Sequence, residues 1–266
     1  MMEQYTIEST MDDVTRDRLL TLNRQFYAAV AHPFDATRQA PTPGKAQLVA
    51  QLTAQRRATP LRVLDAGCGN GRLAVMLEGA GRAVEYTGVD GEAQLLAAAA
   101  RNTAELTHVR TRFVQADLAE PDWRAALTED DFDAVVCLAT LQHMPGYALR
   151  RRVVSDLAGL TGPDGIVALS GWQFMDSPRL RGRLLDWSTA GVAPSAVEPG
   201  DALLPWKQAV YAVRYVHLID ADEFQRLATQ AGLETLTTFR ADGREGNLNL
   251  YVLLQRRAGT RGRAAR

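Results

Sequence analysis

Cysteine is nearly missing from this chain of 266 residues; Cys68 and Cys137 are the only two. Two thiols make neither a disulfide framework nor a zinc site, and no metal site is expected. Both lie in stretches that read as buried strand ends, so the expected setting is a reducing cytoplasm. Long apolar runs are missing too. No uninterrupted apolar stretch reaches the roughly 18–20 residues that cross a bilayer. The opening MMEQYTIESTMDDVTRDRLL has no basic segment followed by an apolar one, so no signal peptide and no membrane partner are expected. Lysine is scarce: Lys45 and Lys207 stand against 28 arginines among the 30 basic residues. A net charge of −1 excludes a global basic field, and no DNA partner is expected. The tail QRRAGTRGRAAR carries Arg256, Arg257, Arg261, Arg263 and Arg266 and no acid. A frayed end in an arginine-rich chain accounts for it better than an RNA-binding arm.

What is present is an alternation. RVLDA, YTGVD and RFVQAD are short apolar runs that end on an acid, and DAVVCLA is a valine-rich run without one. Alanine- and leucine-rich helical stretches such as EAQLLAAAARNT lie between them, and IVALS reads as a fifth strand. This predicts a doubly wound α/β sheet, parallel through these strands. Asp65, Asp90, Asp117 and His143 are spaced by 25, 27 and 26 positions, each at or just past the end of an apolar run. Parallel strands end on one edge, so these polar groups should converge on one crevice.

The flanks complete a single expected domain over 1–266. Residues 1–58 form an N-terminal helical segment, with one helix over about 11–30, a break at AHPFDATRQAPTPG and a second helix in KAQLVAQLTAQR. The core covers 59–171. Residues 172–219 form an insert on the strand-end face: WQFMDSPRLRGRLLDWSTAGV reads as helical, APSAVEPGDALLPW as a loop and YAVRYVHLI as extended. Residues 220–256 give a helix capped by Asp220 and a closing antiparallel pair, before the basic tail 257–266.

The segment VLDAGCGNG raises the question of a ligand. A Walker loop needs a lysine that is not near. The dinucleotide fingerprint G-x-G-x-x-G fails because Arg72 stands where its last glycine belongs. Asp65, two residues before Gly67, would repel a pyrophosphate but suit a cationic ligand.

These motifs resemble those of class I S-adenosylmethionine-dependent methyltransferases. VLDAGCGNG is similar to their first motif, YTGVD to the acidic end of their second strand, VQAD to their adenine-contact region and FDAVVCLATLQHMP to their fourth strand. The resemblance implies a Rossmann-like, mostly parallel seven-stranded sheet, with S-adenosylmethionine as cofactor and S-adenosylhomocysteine as product. It implies that Asp90 accepts the ribose hydroxyls and Asp117 the adenine amino group, with Gly91, Ala116 and Leu118 beside them. Asp65 would face the methionine ammonium, directly or through water. Gly67, Cys68, Gly69 and Leu138 would line the cofactor, and the helix N-terminus after the loop suits its carboxylate.

The flanks are similar to those of tRNA wobble-uridine carboxymethyl methyltransferases, in FYAAVAHPFDATRQAPTPG and in LLPWKQAVYAVRYVHLIDADEFQRLATQAG. That likeness implies a carboxymethylated tRNA base as acceptor and places Arg38 and Arg214 at the cofactor carboxylate or substrate. Eukaryotic relatives also use a small activating partner protein. Three positions depart from that family: Pro41-Thr42-Pro43 replaces Pro-Trp-Pro, Gln142-His143 replaces a histidine pair, and GNLNLYV replaces a tryptophan-bearing strand. All three fall on the substrate side, so a small-molecule acceptor methylated at oxygen or nitrogen stays open. So does a non-catalytic cofactor-binding subunit.

His143 is placed to orient an acceptor or serve as base, or merely to cap the next loop. Arg214 and His217 are the other catalytic candidates, with His217 and Tyr215 expected on one strand face. Gln142, Trp172 and Gln173 are expected to wall the acceptor site, and Trp206 to anchor a lid. Any of these aromatics could equally be plain core.

Overall fold

The computed structural model describes residues 11–37, 40–54 and 59–257. Five parallel strands form its centre: β1 (Leu61–Ala66), β2 (Val84–Asp90), β3 (Val109–Gln115), β4 (Phe132–Leu138) and β5 (Thr161–Trp172). Antiparallel β8 (Leu233–Ala241) and β9 (Asn249–Arg256) close the sheet in the order β3-β2-β1-β4-β5-β9-β8. Strand residues alternate between faces, and each face has its own core. Leu64, Ala66, Val135 and Cys137 pack with α5 (Tyr147–Leu160) and α7 (Ala221–Gln230). Leu61, Val63, Ala134 and Val136 pack with α2 (Pro43–Ala54), α3 (Arg72–Glu78) and α4 (Ala93–Asn102). Each fully buried aliphatic side chain contributes roughly 1.5–3 kcal/mol, which makes these layers the main stabilising mass. The seven-stranded, mostly parallel Rossmann-like sheet with N-terminal helices is thus the observed fold.

Local rules explain the ends. Asp12 caps α1 (Asp13–Ala36) by accepting from Thr15 N–H at 2.8 Å. Asp220 caps α7 by accepting from Glu223 N–H at 2.7 Å. The sequence placed the end of α1 near residue 30, but the helix runs through Pro33 to Ala36. Proline there loses one backbone bond, and packing of Leu19, Phe26 and Val30 holds the helix regardless.

The insert departs further from expectation. The helix predicted from residue 172 is broken: α6 covers only Pro178–Arg181, among short 3₁₀ turns. Pro178 starts it, Gly182 ends it, and Gly191 sits at φ +60°. The predicted loop before Trp206 contains a strand instead. β6 (Asp201–Gln208) pairs with β7 (Val210–His217) in a separate antiparallel ribbon, with Pro205 opposite Val213. A two-stranded ribbon has two edges, which is where a strand proline is tolerated.

A buried ion network fastens this ribbon to the core. Arg150 donates to Glu223 and to Glu198, each at 2.7 Å, and to the Met144 carbonyl at 3.0 Å. His217 joins Glu223 at 2.8 Å and Asp201 at 2.6 Å, and the Tyr215 hydroxyl donates to the same Asp201 oxygen at 2.6 Å. Burial works against a charged His217, but its bonds to Asp201 and Glu223 outweigh that and raise its pKa. Its stabilisation is therefore complete below the ordinary value of 6.5 and fades as pH rises through the raised one. Among the described residues, no helix is long and apolar enough to cross a membrane.

Removing Arg150, which is 1% exposed, strands two carboxylates. Arg150→Met is expected to lose about 3–5 kcal/mol in urea unfolding, and a loss under about 1 kcal/mol would contradict this account of the network.

Candidate functional site

Strand order reverses between β1 and β4, and a cleft of about 970 Å³ opens at their carboxyl ends. The glycine loop forms its floor. Gly67 and Cys68 donate to the Val89 carbonyl at 2.7 and 3.0 Å, clamping the loop to the end of β2. Gly67 stands at φ +82°, and a Cβ there would collide with Thr140. Gly71, at φ +75°, abuts Ala99 of α4 in the same way. Asn70 completes the clamp by donating to Asp35 of α1 at 2.8 Å.

Asp90 lies on the cleft wall, and each of its oxygens accepts one backbone N–H: Gly69 at 2.8 Å and Glu92 at 2.9 Å. One lone pair per oxygen is left for a ligand. Burial pushes its carboxyl up to about 6, against the two amides that stabilise the charged form. Asp117 also reaches the wall. Arg24 of α1 donates to its Oδ2 at 2.7 Å, and Ala119 N–H donates to its Oδ1 at 2.8 Å. Gly67, Cys68, Gly69, Gly91, Leu118 and Leu138 line the same cleft. Burial drives the Cys68 thiol well above its ordinary value, so it is a packing group and no nucleophile.

Asp65 and Ala116 stand outside the cleft wall. Asp65 is buried behind the glycine loop, where its Oδ2 accepts the Tyr86 hydroxyl at 2.7 Å. Burial raises its carboxyl, and the charge of Lys45 opposes the rise. Of the two contacts expected for Asp65, direct or through water, its burial suits the second. Ala116 serves the scaffold by donating to the Asp90 carbonyl at 3.1 Å. Arg38 and the basic tail beyond Arg257 lie outside the described residues.

The other half of the cleft is roofed by α1 and the ribbon. Asn23 of α1 donates to the carbonyls of His143 and Tyr215 at 2.9 and 3.2 Å and accepts Tyr215 N–H at 2.8 Å. His143 reaches the wall with both ring nitrogens engaged. Nδ1 faces the Tyr215 carbonyl at 3.1 Å, so it must carry the proton. Nε2 then accepts the Tyr27 hydroxyl at 2.8 Å. Burial, and then the charge of Arg214, lower its pKa to about 3, so the ring is neutral. Arg214 lies over the Trp172 ring at 4.4 Å, and both line the cleft.

Three expected site residues serve the scaffold instead. Gln142 is fully buried, and its Oε1 accepts Trp172 N–H at 2.8 Å. Gln173 donates to the Ile219 carbonyl at 2.8 Å. His217 does share a strand face with Tyr215, as expected, but that face looks into the ion network because Arg214 alternates with them and takes the cleft side. Glu198, Asp201 and His217 bring ligand atoms within 4.8 Å of one another, yet the donors from Arg150, Tyr215 and His217 already occupy these carboxylates. Trp206 is buried against Phe26 and Phe34 of α1, away from the cleft wall.

Sequence reasoning missed Asn23, Arg24, Tyr27 and Lys45, which all line the cleft. A polar Asn23 on the apolar stripe of α1 was the one available signal for the helix residues.

His143 is expected to stay neutral, with its proton on Nδ1, from pH 8 down to about 4. Its contribution to stability is complete above 6.5 and is lost as pH falls from there toward 3. Imidazole ¹⁵N shifts test this, and titration near 6.5 would refute it.

The family profile for a methyltransferase domain matches residues 63–165. A ubiquinone biosynthesis O-methyltransferase of Thiobacillus denitrificans is 31% identical over 174 residues, 65% of each chain. The match thus spans just under two thirds of that relative's length. Among solved structures, the Burkholderia thailandensis 1,6-didemethyltoxoflavin-N1-methyltransferase, with 1,6-didemethyltoxoflavin and S-adenosylhomocysteine bound, gives a TM-score of 0.63 at 18% identity over 91% of each chain. The Synechocystis magnesium protoporphyrin IX methyltransferase, with S-adenosylmethionine bound, gives 0.57 at 20% identity over 90% of this chain and 97% of that one. Residues 63–165 are thus similar to a methyltransferase domain, and the chain has the fold of these S-adenosylmethionine-dependent methyltransferases.

Proposed function

We propose that the protein moves the methyl group of S-adenosylmethionine to an oxygen or nitrogen of a small molecule. The observation that carries this reading is the single cleft whose two halves meet at Leu138–Thr140. An acid-bearing half lies over β2 and β3, and an aromatic and arginine half lies under α1 and the ribbon. The residues present fit the cofactor. Asp90 keeps lone pairs for two hydroxyls, Asp117 stands one strand further out, and Gly91, Leu118 and Leu138 provide apolar and close-approach surface. Asp65 supplies a negative field from behind the loop, which favours a cationic ligand over a pyrophosphate. When bound, the cofactor supplies an electrophilic methyl on a sulfonium.

The chain's own contribution is positioning and charge. Arg214, backed by Trp172, attracts an anionic group of the acceptor. Tyr27 and the unprotonated Nε2 of His143 form a hydrogen-bonded pair at the cleft wall, and Tyr27 keeps an oxygen there that accepts from a hydroxyl or amine. A carboxylate acceptor needs no base, and a hydroxyl acceptor would be oriented by the pair rather than deprotonated by it, because His143 is held too weakly basic to take a proton. Gln142, Gln173 and His217 act through the scaffold that holds Trp172 and Arg214. The relatives named for ubiquinone-biosynthesis O-methylation and for toxoflavin-precursor N1-methylation support a small acceptor.

The carboxymethylated tRNA base is the competing acceptor, and it calls for a basic face joining Arg150–Arg152, Arg179–Arg183 and the basic tail, whose residues beyond Arg257 lie outside the described ones. Arg150 is buried in the ion network, and Arg152 is spent on Asp156 and the carbonyls of Leu118 and Ala119.

Methyl transfer from tritiated S-adenosylmethionine into a fractionated extract tests the proposal. Label is expected among small molecules and absent with Asp90→Ala, whose loss of two charge-assisted contacts should weaken cofactor binding by at least about 100-fold. Base-labile label in RNA would overturn the small-molecule acceptor in favour of the wobble-base ester. Cofactor binding without label in any fraction would mark a non-catalytic binding subunit.

A further inference from the structure

Asp117 stands two residues past the end of β3, and the peptides that follow it shape its carboxylate. Its Oδ1 accepts Ala119 N–H at 2.8 Å, and its carbonyl accepts Glu120 N–H at 2.9 Å. In a trans peptide the C=O and N–H point in opposite directions, so the Leu118 and Ala119 carbonyls face away from Asp117. Both meet one side chain. Arg152 of α5 donates from Nη2 to the Leu118 carbonyl at 2.9 Å and to the Ala119 carbonyl at 2.7 Å. Its Nη1 donates to the next carbonyl, that of Glu120, at 3.2 Å and to Asp156 at 3.1 Å. The same Asp156 oxygen accepts Trp123 Nε1 at 3.0 Å, which ties the far end of the loop to the same helix.

One guanidinium thus holds three consecutive carbonyls from the α5 side, while Arg152 itself stands outside the cleft wall. A planar fork of N–H donors suits that task, and a single ammonium does not. The effect reaches the cleft through two peptide planes. If either plane turned, the Ala119 or Glu120 N–H would leave Asp117, and the carboxylate would lose its orientation. Arg24 completes the setting from the α1 side by donating to Oδ2 at 2.7 Å. Oδ1 then keeps one lone pair in a fixed direction on the cleft wall. A carboxylate so placed accepts from an amino group and repels a carbonyl oxygen. We propose that Arg152 is a positioning residue for base selection: by holding the Leu118 and Ala119 carbonyls, it aims Asp117 at the exocyclic amino group of the cofactor's adenine. This rests on the cofactor reading and adds to it the origin of the preference for adenine.

S-adenosylhomocysteine and S-inosylhomocysteine, in which a carbonyl oxygen replaces the amino group, are titrated calorimetrically into the full chain. The wild type is expected to bind the adenosyl compound about 10–100-fold more tightly, the worth of one charge-assisted hydrogen bond. Arg152→Met should reduce this ratio to within about threefold, with the inosyl compound's affinity changed by less than about twofold. Arg152→Lys should give an intermediate ratio. A purely structural role would weaken both compounds alike, so an Arg152→Met protein that keeps the wild-type ratio overturns the assignment. Should that variant fail to fold, an Arg152→Lys protein with the full wild-type ratio overturns it instead. Equal wild-type affinity for the two compounds does so without any variant. A wild type that binds neither compound rejects the cofactor reading itself.

Discussion

Parallel pairing forces β3, β2, β1, β4 and β5 to end on one edge, and the reversal of order between β1 and β4 parts the loops that leave that edge. Everything at the site follows from this constraint. Asp90 and Asp117 come together because they stand at the end of β2 and two residues past the end of neighbouring β3, although 27 positions separate them in the chain. Gly67 must turn at φ +82° because the chain leaving β1 has to double back under Thr140, which leaves β4. The crevice is a by-product of winding helices onto both faces of the sheet, and residue chemistry decides what it binds.

The acceptor half depends on a second constraint: a helix and a ribbon must form a roof without leaving buried amides unpaired. Asn23 meets it by pairing with the backbone of His143 and Tyr215 through both ends of its side chain. The same geometry brings the Tyr215 carbonyl to His143 Nδ1, which fixes the tautomer and leaves Nε2 for Tyr27. A packing solution thereby becomes a chemical one. The ion network of Arg150, Glu198, Glu223, His217 and Asp201 holds the ribbon from the far side, so Arg214 reaches the cleft from a fixed strand. Such networks add little net stability over an apolar core, and fixing one arrangement of the insert is the better account of this one.

The legible part of this structure was carried by local patterns. Strand ends with acids, the glycine spacing and the Asp220 cap each need only a few consecutive residues, and each placed its element correctly. Contacts across long separations were not legible. Arg24 meets Asp117 across 93 positions and Tyr27 meets His143 across 116, and no helical periodicity points to either. The ribbon hid because Pro205 and Gly200 read as loop signals, while β6 needs only β7 for its ladder. His217 misled for a different reason: a strand alternates its faces, and with Arg214 on the cleft side, its neighbour Tyr215 and then His217 must turn away.

Asp90 carries the proposed cofactor site, because burial pushes its carboxyl up to about 6 and the ionised form would be much the stronger acceptor for two hydroxyls. Calorimetric binding of S-adenosylhomocysteine from pH 8 to pH 5 tests this directly. The affinity should hold steady above about 6 and then fall by up to about tenfold per pH unit below it, as the proton competes with the ribose hydroxyls. Affinity that stays constant across the whole range would contradict the account.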